Sequence, residues 1–277
     1  MLTPQQDTRA AWDSIAAGYD EFVTAPGMPS AEDGLRRAGI RAGMRVLDVA
    51  CGSGALSIPA ARLGAQVLAV DQSPKMLERL QARARQEALS NIECRVMDGT
   101  ALQVEDDSFD IAASQFGVML FPEMPRGINE MARVTKPGGR VLMIVYDAPQ
   151  KLDFFTFFVA AIRAALPDFS GPPHDPPPLP FQLQDPAKLR RELENAGLKD
   201  IRVEPGAEKL TLPSGKALWD WLINSNPIVD GVLAELKLTQ EQTETVQRAL
   251  ERGIRERAGG SGPAVLSNPV HIGIGRK

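Results

Sequence analysis

The chain has 277 residues, 43% of them hydrophobic and 24% charged. A chain of this length buries roughly three quarters of its unfolded surface, so global disorder and fibrous repeats are excluded and no staple is needed. Its 31 Lys and Arg against 35 Asp and Glu leave a net charge of −4, which lacks the basic footprint of a general nucleic-acid binder.

Cys51 and Cys94 are too few for a disulfide framework. No apolar run reaches the roughly 18 residues needed to span a bilayer. The opening MLTPQQDTRA is not a basic-then-apolar leader. These features predict a cytoplasmic protein without a membrane span.

In chain order, Trp12, Ile15, Ala16, Tyr19 and Phe22 share one helical face near the N-terminus, suited to core packing or to covering a ligand. Residues 44–145 then alternate apolar strands with helical stretches, the pattern of a parallel sheet flanked by helices. The predicted strands are Met44–Ala50, Gln66–Val70, Ile92–Val96, Phe109–Ser114 and Arg140–Val145. Ser73-Pro74 reads as an N-cap and first helical residue, and Pro137-Gly138-Gly139 as a turn into the fifth strand.

Beyond residue 150 the composition changes. Residues 167–186 hold eight prolines, and six of the ten phenylalanines lie between 154 and 181. The run Phe154-Phe155-Thr156-Phe157-Phe158 is too continuous for one face of a helix and is expected to line a site for an apolar or aromatic molecule. Asp185-Pro186 caps a helix that Gly197 stops, Ile201–Glu204 is a sixth strand, Thr239 with Gln242 forms a capping box, and Val270–Gly275 is a seventh strand.

Asp48-Val49-Ala50-Cys51-Gly52-Ser53-Gly54 places an acid near a strand end, then two glycines one residue apart, then a helix start. Glycines let backbone approach a ligand closely, and helix-start N–H groups face anions. Dinucleotide enzymes and methyltransferases both use such a loop. Three features separate them. Ser57 stands where a third glycine of G-x-G-x-x-G would be. Asp71 ends the second strand, placed to accept from ribose hydroxyls, as both readings require. Asp98-Gly99 follows the third strand, where a carboxylate can accept from an adenine amino group.

Taken together, Asp48, Gly52, Gly54, Asp71, Asp98 and the Lys136-Pro137-Gly138-Gly139 turn resemble the class I S-adenosylmethionine-dependent methyltransferases over residues 40–147. The segment Trp12–Asp20, Ser114-Gln115-Phe116-Gly117 and Phe121-Pro122 are similar to the small-molecule branch of the ubiquinone/menaquinone-biosynthesis type. The resemblance implies an α/β, Rossmann-like, doubly wound seven-stranded sheet of order 3-2-1-4-5-7-6, the last strand antiparallel, with a helical and loop cap. It implies a cofactor site formed by Tyr19, Asp48, Ala50, Gly52, Ser53, Gly54, Asp71, Gln72, Met76, Asp98, Gly99, Ser114, Gln115 and Phe116. Asp71 would hold the ribose and Asp98 the adenine. Gly52 and Gly54 would pass the methionine portion, Asp48 would orient that loop or its ammonium group, and Gln72 and Met76 would flank the adenosine. S-adenosylhomocysteine would be the product.

Four segments are expected within one compact unit: an N-terminal helical lid at 1–40, the cofactor-binding methyltransferase core at 41–149, a Phe/Pro-rich insertion over the substrate site at 150–183, and completion of the sheet with further cap helices at 184–277. Candidate catalytic residues are His174, as a base in the insertion, and Tyr19, beside the sulfonium. His271 reads as a packed strand residue, Asp147 as a helix cap and Cys51 as a small core residue. Asp175-Pro176-Pro177-Pro178 mimics the D-P-P motif of nucleic-acid amino-methyltransferases but stands far from the end of the fourth strand. No metal set is apparent. The reaction read from this pattern is methyl transfer to a small apolar or aromatic molecule, with the acceptor atom open and no nucleic-acid partner; a homodimer is left open. The alternatives are an NAD(P)-dependent oxidoreductase and a cofactor-binding regulatory protein without turnover.

Overall fold

A computed structural model describes residues 4–171, 176–225 and 227–277. Seven strands make one sheet: β1 (Arg45–Val49), β2 (Gln66–Asp71), β3 (Ile92–Val96), β4 (Phe109–Gln115), β5 (Thr135–Tyr146), β6 (Lys199–Leu212) and β7 (Ala264–Arg276). Their order is β3-β2-β1-β4-β5-β7-β6. The first five run parallel, and β7 is antiparallel to both β5 and β6. This is the order and sense expected from the sequence. The central strands bury both faces, so they read as apolar runs rather than alternations.

Among the described residues ten α-helices flank the sheet: α1 (Pro4–Tyr19), α2 (Ala25–Arg37), α3 (Ser57–Arg62), α4 (Pro74–Gln86), α5 (Met124–Val134), α6 (Asp153–Ala165), α7 (Pro186–Asn195), α8 (Gly215–Ser225), α9 (Pro227–Leu236) and α10 (Gln240–Arg257). Capping follows local chemistry. Ser73 accepts from the Met76 N–H at 3.1 Å, Asp185 from Ala187 at 2.9 Å, and Thr239 and Gln242 close a reciprocal capping box. A π-helical turn, Asp20–Thr24, joins α1 to α2, and Arg83 of α4 holds it through Asp20 at 2.6 Å.

Two expectations need correction. First, β5 starts at Thr135 rather than Arg140. Thr135 pairs with Phe109 and Arg140 with Ile111, so Lys136–Gly139 bulge out of the ladder within a strand already begun. Second, β6 and β7 extend well past the predicted spans. Tyr146 pairs with Val270 at the end of β5, but β6 and β7 continue as a two-stranded ribbon to the Leu212–Ala264 pair. Helices α6, α8 and α10 cover that ribbon and bury Leu210, Leu212, Ala264 and Leu266, so the alternating pattern of Lys209–Leu212 is one-sided strand. The Phe154–Phe158 run lies on a helix, α6. Its rings are continuous because the helix has partners on several sides. Phe154 and Phe158 are buried, Phe155 meets Phe181 at 5.5 Å between ring centroids, and Phe157 lies against Gly253 of α10.

Two apolar cores cover the sheet faces, and a third joins the β6–β7 ribbon to α6, α8 and α10. Leu80 of α4 is fully buried in the first and fills the space over Gly54, where a Cβ would stand 2.3 Å from its Cδ1. Gly54 has φ +101°, so both backbone and space demand glycine there. Leu80→Ala should cost about 2–5 kcal/mol in chemical unfolding. A loss under about 1 kcal/mol would mean that α4 does not press on the loop after β1.

Candidate functional site

The ends of β1, β2 and β4 open on one side of the sheet, where α/β sheets place their ligands. A cavity of about 200 Å³ lies there. Ten of the predicted residues line it: Tyr19, Ala50, Gly52, Asp71, Gln72, Met76, Asp98, Gly99, Gln115 and Phe116. Thr8 and Trp12 from α1 complete the wall with Met97, Thr100, Gly117 and Leu120–Pro122.

The loop after β1 is held by its neighbours. Ala50 and Gly52 have φ of +55° and +53°. Gly52 N–H donates to Asp71 Oδ2 at 2.9 Å, and Ser73 N–H donates to Oδ1 at 2.8 Å. One carboxylate therefore ties the tip of β2 to the loop after β1 and to the start of α4. Phe116, past the end of β4, also has positive φ, +57°. Such conformations cost energy outside glycine and gather at functional sites. A Cβ on Gly117 would stand 2.6 Å from the Ala50 Cβ, so glycine lets the β1 and β4 loops press together. Asp98 Oδ1 accepts from the Thr100 N–H and Oγ1, both at 2.8 Å.

The other four predicted cofactor residues do not line this cavity. Asp48 lies beneath the loop, where Ser57 Oγ donates to its Oδ2 at 2.6 Å. Burial pushes its carboxyl up to about 7, against the pull of the Ser57 hydrogen bond and with the help of nearby Asp71. Ser53 Oγ hydrogen-bonds Thr24 Oγ1 of the π-helical turn. Gly54 sits under Leu80. Ser114 Oγ donates to the Val49 carbonyl at 2.9 Å and accepts from the Val118 N–H at 3.0 Å. Gln115 Nε2 donates to the Gly27 carbonyl and to Ser30 Oγ, each at 2.9 Å, while its buried Oε1 has no hydrogen-bond partner among the described residues.

His174 and Asp175 lie outside the described residues. His271 Nε2 donates to the Gln184 carbonyl at 3.0 Å, and Asp147 caps the following turn through the Ala148 N–H at 2.6 Å. Neither lines the cavity. Cys51 is buried, and burial pushes its thiol well up, which suits packing.

A second cavity of about 120 Å³ adjoins the first and shares Trp12, Tyr19, Phe116 and Leu120 with it. Its lining is apolar and rich in aromatic rings: Tyr146 stacks on Phe116 at 4.2 Å, Phe154 meets Tyr146 edge-on at 5.6 Å, and Trp221 lies 4.9 Å from Phe154. Sequence reasoning singled out Phe154 and its neighbours but missed Tyr146, Trp221 and, behind Tyr146, Glu208. Tyr146 Oη donates to Glu208 Oε2 at 3.2 Å. Burial pushes the Glu208 carboxyl up to about 7, opposed by hydrogen bonds from Asn268 and Tyr146. Burial first, and Glu208 second, raise both Tyr19 and Tyr146, so both phenols stay neutral. The signal for Glu208 was available: it stands two residues before Leu210 and four before Leu212, on the apolar face of an alternating strand.

Because the folded chain binds the Asp48 proton more tightly than the unfolded chain, its stabilising effect is full below about pH 4 and is lost as pH rises through about 7. Thermal unfolding of Asp48→Asn across this window should show a shallower decline in Tm than the unsubstituted protein. Parallel profiles would show that Asp48 ionises freely.

A protein-family model described as a methyltransferase domain matches residues 47–143. An uncharacterized protein of Mycobacterium tuberculosis is 41% identical over 134 residues, 48% of this chain and 47% of that protein. The chain spans about half the length of several such curated relatives. Haemonchus contortus phosphoethanolamine N-methyltransferase 2, solved with phosphomonomethylethanolamine and S-adenosylhomocysteine, superposes with a TM-score of 0.60 at 18% identity, over all of this chain and 61% of that one. Demethylmenaquinone methyltransferase of a Mycobacterium species is 30% identical over 207 residues, 71% of this chain and 87% of that protein. With the sheet order, the β1 loop and the acids after β2 and β3 in place, these likenesses have one meaning: the chain belongs to the class I S-adenosylmethionine-dependent methyltransferases.

Proposed function

We propose that the protein transfers a methyl group from S-adenosylmethionine to a small apolar or aromatic molecule. The observation that carries this reading is the pair of adjoining cavities, one bearing Asp71, Gln72 and Asp98, the other apolar and about half aromatic, with a common wall of Trp12, Tyr19, Phe116 and Leu120.

The first cavity's donor set fits the cofactor. Asp71 keeps acceptor capacity beyond its two backbone bonds and would hold the ribose hydroxyls. Asp98 and the Gly99 backbone would meet the adenine edge, with Gln72 and Met76 along the adenosine. The loop Ala50–Gly54 would pass the methionine portion. Backbone at Ser114–Phe116 would accept from its ammonium group, and the orphaned Gln115 Oε1 offers a further acceptor. Asp48, Ser53, Gly54 and Ser114 would act from beneath by fixing loop shape.

When bound, S-adenosylmethionine supplies a methyl group already activated on a sulfonium. The protein's work is to bring an acceptor in line, exclude water and tolerate the positive charge. Tyr19 and Phe116 face both cavities, and each aromatic face would contribute about 0.5–2 kcal/mol toward a cation there. The aromatic lining selects flat or apolar acceptors and gives a nucleic acid no basic approach. Relatives named demethylmenaquinone methyltransferase support the same reaction class. Among the described residues no group of His, Cys, Asp and Glu could hold a metal ion, and no helix is long and apolar enough to cross a membrane.

Calorimetric titration with S-adenosylhomocysteine and, separately, with NAD(P) tests the cofactor; tighter NAD(P) binding would overturn the reading in favour of the oxidoreductase. Asp71→Ala should weaken S-adenosylhomocysteine binding by about 1–3 kcal/mol through lost charge-assisted bonds and a loosened loop. Unchanged affinity would remove Asp71 from the site. Labelled cofactor with phenol, quinol, amine and thiol acceptors tests the transfer; intact cofactor binding with no labelled product would favour a non-catalytic role.

A further inference from the structure

Glu208 is 1% exposed, yet the sheet builds a polar cluster around it beside the aromatic cavity. Register explains how. Glu208 pairs across the ribbon with Asn268, and two residues further along β7 Val270 pairs with Tyr146. Positions 268 and 270 share a face, so Tyr146, Asn268 and Glu208 converge on one side of the sheet. Asn268 Nδ2 and Tyr146 Oη each donate to Glu208 Oε2 at 3.2 Å. The Asn268 amide is oriented by Phe154, whose N–H donates to its Oδ1 at 3.2 Å. The titratable groups facing Glu208 are Tyr146 from β5 and Tyr19 from α1; no Lys, Arg or His neutralises it among the described residues.

A buried carboxylate without a cation is costly, and Glu208 has only the two neutral donors on Oε2 to offset that cost. Tyr146 both lines the aromatic cavity and holds Glu208, so it connects the two. We propose that Glu208, acting through Tyr146, is the proton sink for the methyl acceptor, and that the acceptor is a hydroxyl-bearing aromatic molecule, a phenol or a quinol. This rests on the methyl-transfer reading above.

The acceptor oxygen forms the new bond to the methyl carbon while the carbon–sulfur bond breaks, its electron pair staying on sulfur. The acceptor's hydroxyl proton passes to Tyr146 Oη, and the Tyr146 proton passes to Glu208 Oε2. A sulfonium and a carboxylate are consumed together, giving a thioether and a neutral acid, so no net charge is created in an apolar compartment. Tyr146 is the group that touches the acceptor; Glu208 is a positioning residue that acts through it. The Glu208 carboxyl, poised near 7, suits a phenol whose proton must leave near neutrality.

Two readouts test this. In the first, protein saturated with S-adenosylhomocysteine is titrated with 4-nitrophenol at pH 7, and absorbance reports the ionised fraction of the bound probe without turnover. The phenolate band should be about threefold weaker in Glu208→Gln and in Tyr146→Phe than in the unsubstituted protein. Equal bands in all three overturn the proposal, and should Glu208→Gln not fold, Tyr146→Phe decides alone. In the second, labelled methyl transfer to phenol and quinol acceptors is followed against pH. Activity should rise with pH up to about 7, the limb should vanish with about a hundredfold loss in Glu208→Gln, and Glu208→Asp should restore it. A limb retained in Glu208→Gln overturns the proposal. If no acceptor is labelled although S-adenosylhomocysteine binds, the methyl-transfer reading fails, and the probe spectrum still decides whether Glu208 takes a phenol's proton.

Discussion

The site depends on the Asp71 carboxylate. It receives the Gly52 and Ser73 N–H groups, and so joins the loop after β1 to the first turn of α4. Together with the Cys51 N–H bond to the Val70 carbonyl, that clamp offsets the positive φ values at Ala50 and Gly52. The packing on either side is tuned to the same loop: Leu80 fills the space over Gly54 from one direction, and Gly117 admits Ala50 from the other. Asp71 borders the cavity as well, so the group that shapes the loop is also the one proposed to hold a ribose.

The two cavities divide their chemistry by where the chain comes from. Loops at the ends of β1, β2, β3 and β4 bring acids and amides to the first. The second is walled by α6, α8 and the end of β5, which bring rings, and by α9, which brings Val229 and Val232. Tyr19 and Phe116 belong to both, one from α1 and one from the β4 loop. The boundary between the polar and apolar compartments is therefore largely aromatic, which suits the proposed approach of a sulfonium to an apolar acceptor. The stacked Phe116–Tyr146 pair extends that boundary toward Glu208.

The sheet and the first cavity were legible because their determinants are local. Apolar runs mark doubly covered strands, Ser73-Pro74 marks a helix start, and acids at strand ends need only correct strand boundaries to converge. What escaped depends on distant partners. The five-residue shift at the start of β5 comes from a bulge against β4, which no local pattern in Thr135–Gly139 reveals. The Phe154–Phe158 run is too continuous for one face of a helix because α6 is packed on several sides, and those sides are set by distant elements. Helices α8 and α9 fall in the stretch expected to hold further cap helices, but no cap or stop signal places them. Asp48 was expected to orient either the loop or a ligand, and it lies under the loop because β1 turns it toward Ser57. Glu208 carried a readable mark, an acid in the apolar phase of a strand, but that strand was ended at Glu204 and the phase was lost.

The most direct measurement is a crystal structure of the protein with S-adenosylhomocysteine. The account predicts the ribose against Asp71, the adenine edge against Asp98, and the sulfur at the wall of Tyr19 and Phe116, facing the aromatic cavity. A ligand whose sulfur points away from that wall, or a loop after β1 that binds a pyrophosphate instead, would contradict it.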